Sequence, residues 1–537
     1  MPYLITHDLS VTLPDGRVLF EPVSITFEHG SIGLVGDNGT GKSLLLALLA
    51  GHTLPSAQGI HYSGHVQRDG DIAYLSQHIT APKTQTLAEV LGIAEQLHAL
   101  AAIQAGSIEP AHYEQVNDDW DIAERYRTIL TQLGIDASLS APLHVLSGGQ
   151  LTLLSLYRVF HSQAHIVLLD EPSNHLDRAA RHKLVSWIES YPGLVITVSH
   201  DQQLLRHMRA IYALTPQGIA KYTGNYDNFI RAQQQEQEAL IAKRTHLNKQ
   251  HKQVLRQQQQ GAEKAQKRES KGKQLRKKSS QAKSILDSQK ESAQDAKSRA
   301  KTQFSQQLKR YQKQLDALDT QLPENNPTLY MHHSKPMKRR RLIKATQCQL
   351  PFGPTAPLDW SVYAGEHWLL TGRNGVGKST LLRMLMGRYA PVGGSIDVVG
   401  ECVYLDQHFS LLDPKQTLLS CLLNHSDLSE SDARTCLASL GLRGDRVYQT
   451  VDSLSGGEKM KVAMLAVSHQ HAQPLLLLDE PDNHLDISAK HALVDALNHY
   501  QGAYILVSHD DAFIDALRLT HQWELGYHAA SSLPSDR

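Results

Sequence analysis

Apolar residues in this chain come in short runs that stop abruptly at glycines or acids. Ile32-Gly-Leu-Val35 and Trp368-Leu-Leu-Thr371 have the length of buried strands, and each runs into a glycine-rich turn. Beyond those turns, apolar residues recur at helical spacing from Leu44 onward and from Leu381 onward. Leu475 to Leu478 is a further strand-sized run, closed by Asp479, and Leu168-Leu169 leads into Asp170 in the same way. No run approaches ~18 consecutive apolar residues, so no membrane-spanning helix is predicted and no membrane partner is expected. Strand-like and helix-like segments that alternate in this way predict an α/β fold.

Between Gly218 and Leu322 the texture changes: proline is absent, and Gln, Lys, Arg, Ala and Leu dominate. That pattern predicts two long helices in an antiparallel hairpin, interrupted by Gly261 and Gly272, with a basic tip around Gly261 to Ser280. Pro323, Pro327 and Pro336 close the segment. About 45 residues per arm give a projection of roughly 60–70 Å. A disordered polar linker is the competing reading of the same composition.

The flanking halves repeat one another. Gly36-Asp37-Asn38-Gly39-Thr40-Gly41-Lys42-Ser43 recurs as Gly372-Arg373-Asn374-Gly375-Val376-Gly377-Lys378-Ser379. Leu146-Ser147-Gly148-Gly149-Gln150 recurs as Leu454-Ser455-Gly456-Gly457-Glu458. Leu168-Leu-Asp170-Glu171-Pro172 recurs as Leu477-Leu-Asp479-Glu480-Pro481, and both continue into Asn-His-Leu-Asp. Val198-Ser-His200-Asp201 recurs as Val507-Ser-His509-Asp510. Four motifs in one order mean a duplicated domain of roughly 200 residues. The expected division is 1–228, a helical linker at 229–335, and 336–537. From Gln77 to Ser147 is 70 residues, against 48 from Gln407 to Ser455, so the first copy carries an insertion, placed at about 87–125.

Formal net charge is zero, but residues 231–320 hold 22 Lys/Arg against 9 Asp/Glu, a net of +13. A polyanionic partner would be sought there. Cys348, Cys402, Cys421 and Cys436 show no Cys-x-x-Cys spacing and suit free thiols in a reducing cytoplasm. The start, Met1-Pro2-Tyr3, lacks the features of a secretory signal, which also points to the cytoplasm.

The chemistry follows from the repeated motifs. Gly-x-x-x-x-Gly-Lys-Ser lets backbone N–H groups close on phosphate oxygens at a helix N-terminus. Lys42 and Lys378 would meet the β/γ-phosphates of ATP, and Ser43 and Ser379 would ligate Mg²⁺. An apolar strand that ends in two acids is hard to explain structurally, since one acid would be buried unpartnered. Asp170 and Asp479 suit the metal; Glu171 and Glu480 can orient and polarise an attacking water. Gln77 and Gln407 each follow a short strand at matching places; taken alone, each reads as a surface glutamine.

Together these motifs resemble the ATP-binding-cassette superfamily, over about 430 of the 537 residues. The resemblance implies two cassettes that close head-to-tail on each other within one chain, over two ATP molecules. Lys42 and Glu171 would share a site with Ser455 and Gly457, and Lys378 and Glu480 one with Ser147 and Gly149. His200 and His509 would contact the γ-phosphate, and Gln77 and Gln407 would reach the metal. Phe352 sits where cassettes stack an aromatic ring on adenine, whereas the first copy offers Leu13. Leu44 follows Ser43 in place of the common Thr, and Ser155-Leu-Tyr-Arg158 and Ala463-Met-Leu-Ala466 are atypical continuations of the signature helix.

Two cassettes, a basic linker and Lys221-Tyr-Thr-Gly-Asn-Tyr-Asp-Asn-Phe229 are similar to the ABC-F class, whose members act on the ribosome. That resemblance implies a translation factor, in regulation, rescue or antibiotic protection, whose linker is directed at tRNA and rRNA. Lys271, Lys273, Arg276, Lys277 and Lys278 at the tip would bind RNA phosphates. No obligate protein partner is implied. A DNA-associated ATPase is the alternative; 28 residues follow His509, and no C-terminal coiled coil for DNA is expected there. The energising subunit of a transporter is a second alternative, which does not need a basic insertion of this length.

Overall fold

The structure is a computed structural model of the 537-residue chain. It describes residues 3–14, 16–52, 59–77, 85–174, 176–276, 283–319, 340–353, 356–373, 375–406, 409–470, 473–483, 485–525 and 530–532.

Each half of the chain builds the same two sheets. In the first, Val18–Phe27, Tyr3–Thr12 and His61–Asp69 form an antiparallel sheet in that order. A six-stranded sheet runs Ile72–Leu75, Ile166–Asp170, Leu194–Val198, Gly30–Val35, Ala210–Thr215, Gly218–Thr223; only its last pair is antiparallel. The second half repeats this order with Cys402–Asp406, Leu475–Asp479, Tyr504–Val507, His367–Thr371, His521–Glu524 and Ala530–Ser532. Continuous Leu, Ile and Val runs suit strands buried on both faces, and Ile166–Asp170 and Leu194–Val198 are buried throughout. Helix Lys42–Ala50 packs its leucines (Leu45, Leu46, Leu49) with Leu4, Phe20, Phe27 and Tyr212 into one core between the sheets.

Register fixes where the chemistry lies. Asp170 pairs with Val198 and Asp479 with Val507, so each acidic pair emerges level with the Ser-His-Asp turn of the next strand. The glycine-rich loops leave the strand beside it, at the same carboxyl edge where parallel sheets open a crevice.

The insertion in the first half is helical. Leu87–Val90, capped by Thr86, has a counterpart in Leu418–His425, capped by Thr417. The added helices are Ala94–Gln104 and Pro110–Val116, which pack on each other.

Contacts divide the chain into one body, Met1–Phe229 with Pro327–Arg537, and a separate unit, Ile230–Asn326. Two helices account for that unit, Tyr226–Arg276 (51 residues) and Lys283–Asp319 (37 residues). The expected break at Gly261 and Gly272 is not there: the first helix runs through both. Each glycine costs only about 1 kcal/mol relative to alanine, too little against a long run of Gln, Lys, Arg and Ala. At ~1.5 Å per residue the arms measure about 77 and 55 Å, unequal where sequence predicted equality. Lys277 and Lys278 lie outside the described residues, and for Lys271, Lys273 and Arg276 only the backbone, helical, is described.

Candidate functional site

The first glycine-rich loop joins strand Gly30–Val35 to helix Lys42–Ala50. Gly36 (φ 156°) and Gly41 (φ 93°) hold left-handed or extreme backbone angles. A Cβ on Gly36 would lie 2.4 Å from the Leu214 carbonyl oxygen, so no other residue fits. The fold of the loop turns Lys42 back on itself: its Nζ donates to the carbonyls of Gly36 (2.7 Å) and Asp37 (2.9 Å). Lys378 does the same with Gly372 (2.7 Å) and Arg373 (3.2 Å). Burial lowers the pKa of both ammonium groups, opposed first by Glu171 at Lys42 and by Glu480 at Lys378.

Ser43 Oγ donates to Asp170 Oδ1 at 3.1 Å, which brings a hydroxyl and a carboxylate together as hard oxygen donors. Asp479 instead accepts from the Tyr404 hydroxyl at 2.7 Å. Ser379 is the second residue of its helix, and Gln77 is exposed just past strand Ile72–Leu75. Asn374 and Gln407 lie outside the described residues.

Glu171 and Glu480 share a feature that sequence reasoning missed. Both have positive φ (48° and 52°), and their N–H groups donate to Val198 O and Val507 O at 2.9 Å. A non-glycine residue in that region is strained by about 1–2 kcal/mol. The kink ends each strand at its aspartate and carries the glutamate to the histidine: Glu171 Oε1 is 3.7 Å from His200 Nε2, and Glu480 Oε1 is 3.6 Å from His509 Nε2. Burial pushes the Glu171 carboxyl up to about 7, with Lys42 opposing and Asp170 adding. Glu480 is also raised, by burial, then by Asp479 and Asp482. Burial, then Lys42 and Lys490, hold His200 well below the usual imidazole range; His509 is held at about 4 by burial, Lys378 and Arg181.

Ser147 and Ser455 cap the helices Gly148–Phe160 and Gly456–Ser468. Each serine accepts from the backbone of the last motif residue, Gln150 or Glu458, whose side chain accepts the serine's own N–H at 3.0 Å. The motif's fifth position is thus half of a capping box. Ser147 and Gly149 line one cavity of about 1010 Å³ with Asp177, Gly372, Arg373 and His509. On the other side, Asn38 N–H donates to Asp486 Oδ2 at 3.3 Å, and Asp486 raises the Asp37 carboxyl after burial does, with Lys42 and Lys461 opposing. Lys461 belongs to the helix that Ser455 caps, and Gly457 is buried within it. Phe352 is 67% exposed; its carbonyl lies against Gly377, and its ring meets Tyr389 edge-on at 6.2 Å. Leu13 is partly buried against the first core.

The residues fit a nucleotide triphosphate with a divalent cation. Among the described residues, buried Glu171 Oε1, His200 Nδ1 and His509 Nε2 have no hydrogen-bond partner. Such atoms are costly unless something polar meets them. The fold and these paired crevices define a protein with two phosphate-binding P-loop domains in tandem.

A sequence model of the ABC transporter family matches residues 20–174 and 355–483. The probable ATP-binding protein YheS of Escherichia coli is 30% identical over 530 residues, covering 94% of this chain and 77% of that protein. The tylosin resistance ATP-binding protein TlrC of Streptomyces fradiae is 28% identical over 536 residues, 92% of each chain. A solved structure of RNase-L Inhibitor aligns with a TM-score of 0.52 at 19% identity, over 98% of this chain and 90% of that one, which shows the shared fold. The chain therefore belongs to the ATP-binding-cassette family, in its ABC-F class of tandem-cassette ATPases. It is an ATPase. Among the described residues, no helix is long and apolar enough to cross a membrane.

Proposed function

We propose that the chain hydrolyses ATP on the ribosome as a translation factor, with its linker directed at tRNA or rRNA. The observation that carries this reading is a +13 segment between two ATPase cassettes, whose described residues form two long helices. Such a segment binds RNA phosphates through counterion release. The family resemblance supports the ribosome as target, and a relative named for tylosin resistance supports protection from an antibiotic as one form of the role. In domain terms, cassettes at 1–228 and 336–537 would flank the linker at 229–335.

In this reading Glu171 and Glu480 orient the attacking water, while His200 and His509, held neutral, sit beside the γ-phosphate. Bound Mg²⁺ supplies charge stabilisation of the transferring phosphoryl group. Ser43, Asp170 and Gln77 would hold it in one site, and Ser379, Asp479 and Gln407 in the other. Asp37, Asn38, Gly39, Thr40, Arg373, Gly375 and Val376 would wrap the phosphates, and Phe352 would stack on adenine. Ser147 with Gly149, and Ser455 with Gly457, would close each site from the opposite cassette.

Ribosome pelleting of the Glu171→Gln/Glu480→Gln protein in ATP, across a salt series, tests the target. Binding should fall steeply with salt, and Arg276→Ala/Lys277→Ala/Lys278→Ala should weaken it and flatten the slope. Retention on duplex DNA without ribosome pelleting would replace this reading with the DNA-associated one.

A further inference from the structure

Behind the two sites lies a second set of buried charges. Arg181 and Lys490 each stand four residues after the aspartate, Asp177 or Asp486, that caps the helix following Asn-His-Leu-Asp. The Arg181 side chain is 14% exposed and that of Lys490 10%. A cation in the first turns of a helix opposes the helix dipole, and its burial strips it of hydration that its partners must replace. An apolar residue would pack there more cheaply, so packing does not account for either one.

Their partners do. Lys490 Nζ is 2.6 Å from Asp510 Oδ2 in its own cassette and donates to the backbone oxygen of His200, in the other cassette, at 3.4 Å. Arg181 Nη1 is 3.3 Å from Asp201 Oδ2 in its own cassette and donates to the backbone oxygen of His509, in the other, at 3.0 Å. Asp201 and Asp510 follow the two histidines directly and cap the next helices. Each cation therefore grips the histidine turn of its own half while holding the opposite histidine by its carbonyl. Gln203 Nε2 to Asp511 Oδ2, 2.9 Å across the same seam, keeps the two turns adjacent.

We propose that Arg181 and Lys490 are positioning residues that tie each site's histidine to the opposite cassette, so hydrolysis at one site depends on a cation from the other half. The inference rests on Glu171 and Glu480 being the hydrolytic carboxylates. The bonds are crossed: Lys490 serves the Lys42/Glu171 site, and Arg181 the Lys378/Glu480 site. When the halves part, each cation keeps its own aspartate, so no buried charge is stranded and the tie can open and re-form. The charges act as well as the bonds. Lys490 joins burial and Lys42 in keeping His200 neutral; at His509, burial, Lys378 and Arg181 outweigh Asp177 and Asp511.

The direction of the damage tests this. Glu480→Gln leaves only the Glu171 site to turn over, and Glu171→Gln only the Glu480 site. In ribosome-free phosphate release by the full chain, Lys490→Met should lower kcat about tenfold in the Glu480→Gln background and by less than about twofold in the Glu171→Gln one. Arg181→Met should do the reverse. KM for ATP should hold in both, because each cation meets the opposite histidine through its backbone oxygen, and Lys490→Arg should restore turnover. Lys490→Met leaves Asp510 unpaired, so the double change Lys490→Met/Asp510→Asn, checked by thermal melting, must show the same crossed loss. Slowing confined to the mutated cassette's own site would overturn the proposal in favour of local support; equal slowing of both would reduce it to a general packing defect. Turnover that persists in Glu171→Gln/Glu480→Gln removes the carboxylate assignment and the proposal with it. An inactive double variant without the crossed pattern removes the proposal alone.

Discussion

The Lys42 and Lys378 sites share every motif and the same strand register, yet they differ in what surrounds their acidic pairs. At the first, Asp170 receives the Ser43 hydroxyl; at the second, Asp479 receives Tyr404. The Glu171 side chain is 12% exposed and that of Glu480 24%, and Asn483 Nδ2 donates to Glu480 Oε2 at 2.6 Å. Motif identity thus sets backbone path and donor placement, while the depth of burial at each site, the first cause of both shifts, sets how readily each glutamate ionises. Glu171, in the drier place, is the one pushed up to about 7.

The comparison breaks first on catalysis. Each single Glu→Gln change should leave the other site working, and the double change should keep ATP binding while losing ~10²–10⁴-fold in phosphate release. A single variant as inactive as the double would show that the sites fire only together, not as separate centres.

The next effect separates the two glutamates by pH. Glu171 has its folded pKa raised from 4.5 to about 7, so the folded state favours the protonated acid. Stability from this group is full below about 4.5 and is lost as pH rises through 7. Glu171→Gln, which cannot ionise, should therefore stabilise the nucleotide-free protein at pH 8, by on the order of 3 kcal/mol. The gain should shrink as pH falls toward 4.5. Thermal melts across that range measure it. Glu480→Gln should gain less, since its carboxyl keeps more water and the Asn483 bond.

Much of this was legible in the chain. Leu475 to Leu478 ending in Asp479 gave away a buried strand, and the repeat of Gly36 to Ser43 at Gly372 to Ser379 gave away the duplication. What stayed hidden depends on three dimensions. Positive φ at Glu171 and Glu480 follows from the strand having to end beside the histidine turn, and glutamate has no preference that announces it. Nothing in the sequence marks Arg181 or Lys490, because the backbone oxygens they hold lie across the seam between the halves, more than 300 and nearly 300 residues away. Gly261 and Gly272 misled in the opposite direction, since local propensity suggested a break that neighbouring helix formers override.

Tyr404 offers a smaller handle. Its hydroxyl donates to Asp479 in a partly buried setting, and a hydrogen bond to a carboxylate there contributes about 1–2 kcal/mol. Tyr404→Phe should lower thermal stability by about that amount without the pH dependence expected of Glu171→Gln. An unchanged melt would mean that the bond to Asp479 adds nothing to the folded state.

The smallest effect concerns adenine. Phe352 stands 67% exposed beside Gly377 with its ring edge-on to Tyr389, free to accept a base on its face. Leu13 turns into the first cassette's core and has no ring to offer. Aromatic stacking adds on the order of 0.5–1.5 kcal/mol beyond area burial, which is roughly two- to twelvefold in affinity. The Lys42 site should therefore bind ATP several-fold more weakly than the Lys378 site, measured by titrating Lys378→Ala and Lys42→Ala proteins, each with one site left. Phe352→Leu should bring the second site down to the first without altering the melt, because an exposed ring contributes little to the core. If the sites bind equally before that change, another side chain serves adenine in the first cassette. If they bind unequally and Phe352→Leu does nothing, the inequality comes from the acidic pairs, and Tyr404→Phe becomes the variant that should move it.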